Sequence, residues 1–140
     1  MLALMELVAI PTSGDEVISE SGANRVSVAD SASAIRQAEE AIREAKNVGN
    51  LWLGTRDLLA QASALQSSGD NTRATELGNL AETQARLALN QYRLEEARYI
   101  YRKLKLIQDH DPDQLRAIDG FLQAYDGAAA LHLARKSLGD

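Results

Sequence analysis

From Ser31 onward the apolar positions follow a helical period. Ala34, Ile35, Ala38, Ile42 and Ala45 recur at three- and four-residue steps and make one stripe on one helix face. Asp30 and Ser31 are suitable N-caps for it. Arg36 with Glu40, and Glu39 with Arg43, have i,i+4 ion-pair spacing on the opposite side. The stripe is interrupted by "GNLWLG", Gly49 to Gly54, after which three- and four-residue apolar steps resume with Leu58, Ala62 and Leu65. This pattern predicts one helix over residues 31–67, bent or loosened in its middle.

"SSGDN", residues 67–71, reads as a turn, with Gly69 suited to a left-handed C-cap and Asp70 or Asn71 to the next N-cap. A long helix follows over 72–108, interrupted by a single glycine and no proline. It carries two apolar faces. Leu80, Leu87, Leu94 and Tyr101 repeat every seven residues, extended by Ala97 and Leu104. Ala74, Leu77, Ala81, Ala85, Ala88 and Tyr92 form a separate, alanine-rich stripe. A helix that needs cover on two sides lies at the centre of a bundle or is shared with another chain.

Asp111, Pro112 and Asp113 then supply an N-cap, an N1 proline and a carboxylate at a helix start. They predict a third helix over about 112–137, with Leu115, Ile118, Leu122, Tyr125 and Ala129 inward. The fold class expected is all-α: a long antiparallel hairpin with a third helix packed on it, completed into a bundle by dimerisation. In such a hairpin, turning at Gly69, the only tryptophan, Trp52, lies opposite Arg86 and within reach of Ala81, Ala85 and Ala88. Small residues give a large ring a floor, so Trp52 is expected to anchor the hairpin.

Composition narrows the function. At 140 residues the chain has the length of one domain. Its net charge of −5 disfavours sequence-independent nucleic-acid binding, and the acidic excess lies in the first half. Residues 1–70 hold five Lys/Arg against ten Asp/Glu, whereas residues 71–140 hold ten of each. The absence of cysteine excludes disulfides, thiolate zinc sites and iron–sulfur clusters. No apolar run approaches the ~20 residues needed to cross a bilayer. Residues 1–30 read as a flexible N-terminal segment, whose apolar start, Leu2 to Ile10, looks like a remnant of a signal or of processing.

Catalytic patterns are missing. Asp109, Asp111 and Asp113 share the alternate spacing of the first EF-hand ligands, but Gln114 stands where glycine is required and Gly120 where the bidentate glutamate belongs. His110 and His132, the only histidines, lie 22 residues apart and form no HExxH or similar pattern. "RYIYRKLK", Arg98 to Lys105, mixes cations with tyrosines, a composition that suits an acidic protein patch better than nucleic acid in a chain of this charge.

Residues 30–98 resemble the SoxXA-binding protein (SoxK) family, small helical periplasmic proteins that accompany the SoxXA cytochromes of thiosulfate oxidation. The shared pattern is an Ala/Glu-rich helix, then Gly49, Trp52, Thr55 and the Leu58–Leu59 pair, then the Gly69–Asp70 turn. A long helix follows with Ala74, Ala81, Gln84, Ala85, Ala88 and Gln91. Residues 109–140 extend past the resemblance, and Arg56–Asp57 follow the threonine where the family has a more compact run. The resemblance implies a periplasmic, non-enzymatic accessory protein without a cofactor, whose partner is a c-type cytochrome complex. The doubly apolar long helix adds an expectation of self-association. The candidate partner-binding residues are Trp52, Thr55, Arg56 and Asp57, with Arg98, Tyr101 and Arg102 second.

Overall fold

A computed structural model describes residues 26–139, so the expected N-terminal segment lies almost wholly outside the described residues. All regular structure among them is helical: α1 (Val28–Asn47), α2 (Thr55–Ser67), α3 (Asn71–Lys105), α4 (Pro112–Gln123) and α5 (Gly127–Leu138). Helix α1 starts earlier than Asp30 because Ser27 and Asp30 form a reciprocal capping box. Asp70, Asp111 and Asp126 cap α3, α4 and α5 through their side chains.

The antiparallel hairpin is present as α2 and α3, joined across residues 68–70. Its first arm is shorter than expected. The stretch 48–54 is a complete reversal instead of a bend, because Gly49 and Gly54 adopt left-handed backbone angles of +75° and +97° that end one helix and start the next. Helix α1 therefore runs parallel to α3. Its first turn meets the first turn of α3, where Ser31 Oγ donates to Asn71 Oδ1 (3.1 Å) and accepts from Gln66 Nε2 (3.0 Å). Ser31 is fully buried, so this node satisfies a hydroxyl inside the contact of all three helices.

The third predicted helix is likewise divided, at residues 124–126, into α4 and α5. Tyr125, a non-glycine residue with φ of +56°, turns the chain, and Asn90 holds the corner. Its Nδ2 donates to the Tyr125 carbonyl (3.0 Å) and its Oδ1 accepts from the Gly127 amide (2.8 Å). Gly127 sits so close to α3 that a Cβ there would lie 2.5 Å from Asn90 Oδ1.

The molecule is thus two three-helix units threaded on one spine. Helices α1 and α2 pack on the first part of α3, and α4 and α5 on the last part; among the described residues neither pair touches the other. Each unit has its own core. One gathers Ala38, Ala41, Ile42, Ala45, Ala81 and Ala85, covered by Leu51, Leu58 and Leu59. The other gathers Leu94, Ala97, Ile100, Leu104, Ile118, Leu122, Ala130, Leu131 and Ala134. The two apolar faces of α3 are explained by this division. Its alanine stripe serves the first unit and the leucine seam serves the second. At about 100° per residue the buried stripe changes sides between Ala88 and Leu94. Leu80 and Leu87, which continue the seam backwards beyond the reach of α4 and α5, remain exposed.

The i,i+4 pairs expected on α1 do not form. Glu44 instead lies 3.9 Å from Arg86, which is also bound to Glu82 at 2.7 Å, an arrangement that ties α1 to α3 across the surface. No helix among the described residues is long and apolar enough to cross a membrane.

Candidate partner-binding surface

The reversal between α1 and α2 places the first candidate group. Two hydrogen bonds hold this stretch against α3: Asn50 Nδ2 donates to the Ala88 carbonyl at 2.6 Å, and Thr55 Oγ1 donates to Gln84 Oε1 at 3.0 Å. Leu51 turns inward onto the alanine core. The apolar tip then has nowhere to go but outward. Leu53 is fully exposed and Trp52 is 38% exposed. With Arg56, Asp57, Lys46, Leu51 and the two glycines they line an open depression of about 720 Å³.

Two expectations are corrected here. Trp52 is not a buried anchor of the hairpin: it is 38% exposed, and the partly buried residues packed against the alanine core are Leu51, Leu58 and Leu59. Thr55 is not a surface residue. It is fully buried at the start of α2, and its hydroxyl is engaged with Gln84. Arg56 and Asp57 are exposed as expected, and neither forms an ion pair among the described residues.

The second candidate group also comes together, on the other unit. Arg98, Tyr101 and Arg102 line a notch between α3 and α4 with Asp119, Leu122, Gln123 and Tyr125. Lys105 Nζ lies 5.4 Å from the Tyr101 ring centroid, and Lys103 Nζ 5.3 Å from that of Tyr99, so part of this basic run lies against aromatic faces. The two candidate groups belong to different units and share no lining residue.

Sequence reasoning missed Leu53 and Tyr125. Leu53 was hidden by reading its neighbourhood as helix, where a leucine has no special meaning. Tyr125 was assigned to an inner helical face; the reversal instead leaves it 70% exposed. The Asp109–Asp113 segment behaves as a helix start. Asp111 accepts from the Asp113 amide at 2.9 Å, and Asp113 pairs with Arg116. No group of three or more His, Asp or Glu side chains is arranged to hold a metal among the described residues.

The chain matches no protein-family model, and no curated protein or solved structure matches it.

Proposed function

We propose that this chain is a non-enzymatic accessory protein that docks a protein partner through the Trp52–Leu53 edge. One observation carries the reading. An exposed tryptophan and a wholly exposed leucine stand side by side on a loop that is fastened to α3 at both ends. A fastened apolar tip loses little conformational freedom on binding, and tryptophan is enriched among residues that dominate interface energetics. Lys46, Arg56 and Asp57 around it supply a polar rim.

The resemblance over residues 30–98 names the partner class: a c-type cytochrome complex of thiosulfate oxidation, met in the periplasm. Calorimetric titration of the purified SoxXA cytochrome complex with the wild-type chain tests this. Saturable binding that Trp52→Ser and Leu53→Ser each weaken supports the reading. Absence of binding refutes the cytochrome partner, and binding indifferent to both substitutions refutes the edge.

A second reading has its own observation. Leu80 and Leu87, 44% and 52% exposed, form an uncovered continuation of the α3 seam on which a second copy would pack. In that reading the protein is a self-associating structural component of the cell envelope without a cytochrome partner.

A further inference from the structure

The groove between α3 and α5 gathers cations from two helices. Among the described residues its lining is Arg93, Ala128, Leu131, His132, Arg135 and Lys136, an open groove of about 430 Å³ with no carboxylate among those six. Three permanent cations therefore converge from two helices with a histidine beside them, in a chain of net charge −5. None of the three is in an ion pair among the described residues. Arg135 and Lys136 lie in the last turn of α5, where a helix end favours cations. That accounts for two of them. It does not account for Arg93, half-buried in mid-helix on α3, with its Cβ packed at the start of α5 beside Gly127. Like charges gathered without counter-charges repel one another, and an anion in the groove relieves that repulsion.

We infer that this groove is a binding site for the side-chain carboxylates of a partner protein's acidic segment. The shape and the charge of the whole chain select that occupant. From Ala128 to Lys136 the wall is about 12 Å long at a helical rise, a span that an extended peptide of about four residues covers. A nucleic-acid strand or an anionic bilayer extends well beyond such a length and meets the chain's negative remainder. Arginine forks bind carboxylates in bidentate fashion, and the Leu131–Ala128 floor accommodates the methylene carbons of glutamate side chains. The site lies on the other unit from the Trp52 edge and does not depend on it.

The test is fluorescence anisotropy of a short labelled oligoglutamate peptide with the full chain at low salt. The triple variant Arg93→Gln, Arg135→Gln, Lys136→Gln is expected to weaken binding about tenfold or more. The charge-matched control Arg36→Gln, Arg43→Gln, Arg73→Gln, on other surfaces, is expected to change it less than about threefold, and Trp52→Ser to leave it unchanged. Circular dichroism checks that both triple variants fold. Absence of saturable binding overturns the assignment, as does equal weakening by the two triple variants. Tighter binding of single-stranded oligothymidylate, or of phosphatidylserine vesicles, by the same groove residues overturns the choice of a protein carboxylate.

Discussion

Asn50 Nδ2 donates to the Ala88 carbonyl at 2.6 Å, across 38 residues of sequence. The acceptor is a mid-helix carbonyl, whose second lone pair takes this bond and leaves the helical ladder intact. This bond fixes where the 48–54 reversal sits on α3, and with it the direction in which Trp52 and Leu53 emerge. Asn50→Ala is expected to destabilise the fold by about 1 kcal/mol, the usual net value of one such bond. Urea denaturation with an unchanged m-value checks this. An effect indistinguishable from zero would mean that the Thr55–Gln84 bond and the glycine angles hold the loop without it.

Trp52→Ala distinguishes an interface residue from an anchor. A tryptophan buried between helices costs about 3–5 kcal/mol when truncated. With 38% of its surface exposed and the alanines already covered by Leu51, Leu58 and Leu59, the cost here is expected near 1 kcal/mol. Thermal denaturation decides, and a loss of 3 kcal/mol or more would restore the anchor role.

Gly127→Ala is expected to behave as a severe substitution at a position that looks innocuous. The new methyl would overlap both Asn90 Oδ1 (2.5 Å) and the Asn90 carbonyl (2.6 Å), and a backbone oxygen cannot step aside. Forced separation of α5 from α3 costs about 1–3 kcal/mol. Hydrogen exchange should show faster opening in α4 and α5, with α1 and α2 much less affected.

Leu80→Glu together with Leu87→Glu tests the self-association reading. Both side chains are exposed, so the folded monomer should keep its stability within about 0.5 kcal/mol. Sedimentation velocity of the wild type should then show a dimer that the double variant lacks. A monomeric wild type at high concentration would dispose of that reading.

Much of this architecture was legible in the sequence, for identifiable reasons. The all-helical class, the 68–70 turn, the Asp111–Pro112 helix start and the two apolar faces of α3 each rest on local or periodic signals that tertiary packing did not override. The reversals were less plain. Leu58, Ala62 and Leu65 keep three- and four-residue steps, but at about 100° per residue they fall roughly 200° round from the α1 stripe, a phase break that one continuous helix does not explain. The glycines at 49 and 54 carried the distinction, but left-handed angles at both were required to make it. At Tyr125 even that clue was missing, because a tyrosine rarely takes φ of +56° and does so here under the hold of Asn90.

For the candidate surface, the exposed Arg56, Asp57 and Arg102 stood where solvent-facing charges were expected. Trp52 lies at the surface, as a partner-binding residue and not as a buried anchor would, whereas Thr55 is buried, since burial depends on which residue of a loop the reversal turns inward. The basic α3–α5 groove could not be assembled beforehand. Arg93 and Arg135 are distant in sequence and meet only because the chain turns back at Asp126.

Because the two cores touch only through α3, melting one of them would strip cover from part of that helix and leave the remainder clothed. A lone helical segment of such length is marginal in water, so the stripped portion should fray up to the edge of the surviving core and stop there. The molecule therefore has a built-in half-folded species, and its denaturation curve should separate into two steps whenever a substitution weakens one end selectively.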